Sequence, residues 1–118
     1  MKTAEAVTAL AALAHEYRLG IYRLLVERGP EGWAAGTIGE RVGLQPSSLT
    51  FHLQALQRAG LITQTRASRQ LIYSADFPVM NGLVEFLTDK CCSAGSGNCD
   101  AACKPAAIVR PARRKRAA

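Results

Sequence analysis

Apolar residues recur along the first half of the chain at helical spacings, and after Gly60 the period shortens to that of strands. Val7, Leu10, Leu13 and Ala14 form the apolar stripe of an alanine-rich segment, which predicts a helix over Ala4 to Ala14. A second helix is predicted from Glu16 to Glu27. Its stripe of Leu19, Tyr22 and Val26 is broadened by Ile21 and Leu25, and Gly29-Pro30 stops it. Pro30 to Gly36 reads as a loop in which Trp33 anchors into the core. Thr37 is the expected N-cap of a short helix, Ile38 to Val42, that ends at Gly43.

Gln45-Pro46-Ser47-Ser48 opens a stronger helix, with proline at an early position and serines suited to capping. Leu49, Leu53 and Leu56 give this helix one buried stripe, and Gly60 ends it. A short helix, a glycine-containing turn and a second helix are the signature of a helix-turn-helix. Leu61 to Arg66 then reads as a strand, Ala67 to Arg69 as a tight turn and Gln70 to Ala75 as the returning strand, which makes a wing. A last helix is predicted from Val79 to Lys90. The apolar face of Leu83, Val84, Phe86 and Leu87 exceeds what so short a helix needs for docking, so part of it is assigned to a dimer contact. The expected fold is mainly α with a small β-hairpin (α+β), a homodimeric winged helix-turn-helix.

With Leu49, Leu53 and Leu56 turned inward, Ser47, Phe51, Gln54 and Arg58 fall on the opposite face, with Ser48, Thr50 and His52 on the flanks. Small hydroxyls and an amide there can enter a major groove and reach base edges or phosphates. Gln54 suits adenine, and Phe51 or Thr50 suits a thymine methyl. Arg58 suits a phosphate, and Arg66, Arg69 and Gln70 of the wing suit backbone or minor groove. His52 has two readings: a phosphate contact, or a ring packed at the helix edge with a hydrogen bond inside the subunit.

Charge adds less than its total suggests. The net charge is +6, but the basic residues from Lys104 onward carry the whole excess. That tail is either a counterion-releasing arm on phosphates or a solvated, disordered extension. No apolar run approaches the length of a bilayer span. The first residues do not read as a signal peptide, so a cytoplasmic location is expected, where thiols stay reduced.

Ala12 to Leu25 resembles the second-helix signature of the ArsR/SmtB family of metal-sensing repressors. Ser48-Leu49-Thr50-Phe51-His52-Leu53, running on to Ala59-Gly60-Leu61, resembles that family's recognition helix. The similarity covers about Ala9 to Cys92. It implies DNA contacts for Ser47, Ser48, Thr50, His52 and Gln54, a wing role for Arg66 and Arg69, and dimerisation through the first and last helices. The chain departs from the family in lacking its Cys-x-Cys on the first helix of the helix-turn-helix. It also lacks the Asp/His and His/Glu pairs that zinc-sensing members carry on the last helix.

Any effector must therefore use another site, and all four cysteines lie between residues 91 and 103. Thiolates select soft ions. Cys91-Cys92 is an awkward zinc half-site, since zinc motifs space their cysteines by two to four residues. A vicinal pair suits trivalent arsenic or antimony, which takes three sulfurs in a trigonal pyramid. Cys91 and Cys92 supply two, and Cys99 or Cys103 the third, from the same chain or its partner. This arrangement resembles the ArsR members that sense arsenite or antimonite through C-terminal cysteines. The alternatives are cadmium, lead, copper(I), a structural zinc held by all four thiolates, or a switch driven by thiol oxidation.

The expected organisation is a DNA-binding and dimerisation domain over residues 1–92, a metalloid-binding segment over 91–103 and a basic tail over 104–118. The expected partners are double-stranded operator DNA, a second copy of the chain and a metalloid inducer; DNA binding needs no cofactor. An enzyme is not expected. Cys91 and Cys92 follow a helix C-terminus, where the dipole disfavours a thiolate, and neither His15 nor His52 belongs to a recognisable triad.

Overall fold

The first helix, α1 (Thr3–Leu13), turns its alanines rather than its larger apolar residues toward the interior. Ala6, Ala9 and Ala12 are buried, while Val7 and Leu10 are 58% and 41% exposed. This corrects the expected stripe: a face of small side chains lets the helix backbone sit close to the core and leaves the bulkier face outward. The structure, a computed structural model, describes residues 1–95. Among them follow α2 (Glu16–Arg28), β1 (Trp33–Ala34), α3 (Ala35–Val42), α4 (Pro46–Arg58), β2 (Ile62–Ala67), β3 (Gln70–Ala75) and α5 (Phe77–Thr88). Two compact units divide after Leu87.

His15 starts α2 as its N-cap, its Nδ1 accepting the Tyr17 backbone N–H at 3.2 Å. The helix buries Ile21, Tyr22 and Leu25 against Ile38, Leu53, Leu56 and Leu61. Leu19, expected in the stripe, is instead 44% exposed.

The expected loop after α2 contains a two-residue strand. β1 pairs antiparallel with β3, Trp33 opposite Tyr73, and the sheet order is β1-β3-β2. Trp33 is clamped by two cations, the guanidinium carbons of Arg28 and Arg41 lying 4.0 and 4.4 Å from its ring centroid. Arg28 also donates from Nε to the Gly32 carbonyl at 3.0 Å, which fixes the turn into the strand.

Gly32 itself has φ +70, and a β-carbon there would collide with the Tyr73 carbonyl oxygen. Gly32→Ala is therefore expected to lower stability by about 1–3 kcal/mol, read as a lowered urea midpoint. Gly36 lies in α3 with open space around it, so Gly36→Ala should leave stability unchanged or raise it by up to about 1 kcal/mol. Equal effects of the two substitutions would contradict this account of the turn.

The α3 N-cap is Ala34, without a side-chain hydrogen bond, so Thr37 lies inside the helix rather than capping it. Entry from β1 sets the start of α3 three residues earlier than the threonine suggested. Gly43 ends α3 in the left-handed conformation, as expected. The β2–β3 hairpin closes at Ser68-Arg69, with Ala67 paired to Gln70. Asp76 then opens α5, its carboxylate accepting the Val79 N–H at 3.2 Å, and Pro78 sits harmlessly in the first turn.

Candidate nucleic-acid interface

Helix α4 is built to show one face. Gln45 precedes it in extended conformation and Pro46 supplies a preset φ at its start; neither serine caps it. Leu49, Leu53 and Leu56 are buried, and their packing fixes the rotation of the helix about its axis. Ser47, Phe51, Gln54 and Arg58 lie along the opposite side, all exposed, and Ser48 and Thr50 are exposed beside them. This face offers hydroxyls, an amide and a guanidinium, which is donor and acceptor chemistry suited to a groove edge and its phosphates. On the hairpin, Arg66, Arg69 and Gln70 are exposed as well.

His52 departs from the other residues expected to touch DNA. It is 8% exposed, and its Nδ1 accepts a hydrogen bond from Arg18 Nε at 3.2 Å. The hydrogen bond inside the subunit that one of its two sequence readings expected is present, made through Nδ1. The His15 ring lies 4.7 Å away, Tyr17 6.0 Å and Phe51 5.5 Å, so α2 and α4 are tied by a cluster of rings around a buried imidazole. Arg18 and His15 were not legible as site residues. A contact spanning 34 positions leaves no periodic signal in one sequence.

An acceptor Nδ1 requires neutral His52. Burial holds its pKa below the ordinary 6.5, and the nearby His15 and Arg18 push it the same way. The folded state thus favours the neutral ring. That contribution is complete above pH 6.5 and is lost as pH falls through the lower folded value. Unfolding by urea is expected at lower midpoints below about pH 6.5. His52→Asn keeps an acceptor for Arg18 but cannot titrate, so it should flatten that dependence. An unchanged pH slope in the variant would remove His52 as its source.

Beyond α5, Lys90 and Cys92 adopt left-handed φ values of 59 and 64, unusual for residues with a β-carbon. Cys91 is exposed and Cys92 half-buried, and their Sγ atoms lie 3.6 Å apart. Thiolates on one centre at about 2.3 Å, the zinc–sulfur length, stand at most about 4.6 Å apart, so this pair can share an ion. Among the described residues no three His, Cys, Asp or Glu side chains gather as a metal would need. Cys99, Cys103 and the basic tail lie outside the described residues.

Residues 13–65 match the helix-turn-helix domain family. The transcriptional activator HlyU of Vibrio cholerae is 29% identical over 92 residues, 78% of this chain and 82% of that protein. The structure of reduced HlyU is 30% identical, with a TM-score of 0.58, covering 72% of this chain and 90% of that one. An ArsR-like transcriptional regulator from Rhodococcus is 28% identical, with a TM-score of 0.63, over 71% of this chain and 76% of its own. The chain belongs to the ArsR/SmtB family. As in other ArsR/SmtB proteins, its winged helix-turn-helix is that of a transcriptional regulator, and its relatives are regulators rather than enzymes. A further ArsR/SmtB-like structure is the homodimeric DNA-binding domain Mb0332 of Mycobacterium bovis. It is 26% identical, with a TM-score of 0.58, over 73% of this chain and 80% of that one. Among the described residues no helix is long and apolar enough to cross a membrane.

Proposed function

We propose that this regulator represses transcription as a homodimer on operator DNA. It is released when Cys91, Cys92 and a third cysteine, Cys99 or Cys103, capture As(III) or Sb(III). The observation that carries the metalloid reading is the pair of sulfurs 3.6 Å apart, held by a turn with two left-handed residues. Family membership and the polar outer face of α4 support operator binding through Ser47, Ser48, Thr50, Gln54 and Arg58, with Arg66 and Arg69 on the flanking DNA.

A homodimer accounts for the outward apolar residues. Val7 and Leu10 of α1 and Val84 and Leu87 of α5 are exposed, and Met1, just before α1, reaches α5, its Cε lying 3.8 Å from where a β-carbon on Gly82 would stand. Large apolar side chains left outward on two helices of a small domain fit an interface. The homodimer described for Mb0332 agrees with this use. Two recognition helices then face half-sites about 34–36 Å apart.

Ion capture is favoured over a Cys91–Cys92 disulfide by backbone geometry. Adjacent Cα atoms stand about 3.8 Å apart, short of the roughly 4.4–6.8 Å that disulfides span. An ion at longer metal–sulfur distances has no such conflict. Binding shifts the dimer between DNA-competent and released states, which needs a coupling of about 1–3 kcal/mol.

DNase protection of the promoter DNA upstream of the coding region tests this reading. Two protected patches one helical turn apart that disappear with arsenite are expected. Protection that persists with every metalloid would overturn the inducer, and no protection would overturn repression.

A further inference from the structure

We propose that Phe51 is a specificity residue that reads the C5-methyl group of a thymine in each half-site, an inference that rests on the operator-binding reading above. Phe51 lies in the N-terminal half of α4, the half that meets base edges when such a helix enters the major groove. Its side chain is 57% exposed, on the face that Ser47, Gln54 and Arg58 share. The ring adds nothing to the leucine stripe, which packs on the other side of the helix. An exposed aromatic ring costs hydration in the unbound protein and has no donor or acceptor to offer a base. The apolar group that a major-groove edge presents is the thymine methyl, so that group is what such a ring can recognise.

The ring is also held ready. The Arg18 guanidinium carbon lies 5.6 Å from its centroid and the His52 ring meets it edge-on at 5.5 Å. Arg18 in turn donates to His52, so the contacts that anchor α4 to α2 also back the phenyl ring. A pre-positioned ring gives up little side-chain freedom when it meets the groove.

The test begins by selecting a binding site for the full-length chain from a pool of random duplexes, then replacing each thymine in turn by deoxyuracil, which differs by the methyl alone. For the wild-type chain, one thymine in each half-site should lose affinity about four-fold on replacement, as expected for one buried methyl at about 0.8 kcal/mol. Phe51→Ala should be indifferent to that replacement while keeping its preferences elsewhere in the site, and Phe51→Leu should retain part of the methyl effect. In place of the thymine, 5-methylcytosine should bind better than cytosine with the wild type only. Equal deoxyuracil penalties for the wild type and Phe51→Ala would overturn the assignment. So would a Phe51→Ala chain whose oligomeric state changes while its thymine preference does not, which would place the ring in a protein contact. Failure of the wild type to enrich any site would instead overturn operator binding itself.

Discussion

Val7→Asp is expected to leave the subunit folded, convert the chain to a monomer and weaken operator binding by roughly 10²–10⁴-fold. The valine is 58% exposed, on the outward side of a helix whose inward side is alanine, so the substitution removes nothing from the core. In the dimer it places a carboxylate in an apolar contact, where an unpaired charge is strongly disfavoured. A monomer keeps its recognition helix but loses the linked second half-site, and the expected loss is the effective-concentration advantage of a tethered partner. Sedimentation, circular dichroism and anisotropy on the same preparation separate the three quantities. A dimer of undiminished affinity would move the interface away from α1.

Cys91→Ser and Cys92→Ser are expected to bind operator as the wild type does and to ignore arsenite. The cysteines follow α5 in sequence and are not among the residues assigned to DNA contact, so neither substitution should change DNA affinity by more than about two-fold. Each substitution leaves at most one of the paired ligands, and a hydroxyl is a poor substitute for a soft thiolate. In the wild type, saturating arsenite should lower operator affinity by about 5–150-fold, the range of a coupling of 1–3 kcal/mol. Anisotropy with and without arsenite measures this ratio for all three chains. Serine variants that still respond would place the sensing site elsewhere.

The helix-turn-helix was legible because its signals are local. Pro46 and Gly43 mark the helix ends, the Leu49-Leu53-Leu56 spacing sets the buried face, and β3 falls on Gln70–Ala75 as read from its period of two. The errors came where a partner distant in sequence decides the outcome. Apolarity alone cannot say that α1 buries its alanines, since which side faces inward depends on how closely the helix approaches the core. β1 is two residues long and exists through Trp33 and its pairing with Tyr73, which no run of hydrophobic residues announces. Thr37 has the chemistry of a cap, but the sheet fixes where α3 begins. For His52 the sequence offered a DNA contact or a hydrogen bond inside the subunit, and it could not name Arg18, on another helix, as the partner. Of the candidate ion site, the adjacent thiols could be read from sequence, but not the 3.6 Å separation of their sulfurs.

The most direct measurement is a fluorescence-anisotropy titration of the full chain on its upstream promoter DNA under reducing conditions. Arsenite, antimonite, cadmium and zinc are added separately, and peroxide is tested in the absence of reductant. The account expects tight binding that arsenite or antimonite reverses and the other additions do not. Release by peroxide alone, or binding that none of them disturbs, would contradict the metalloid sensor.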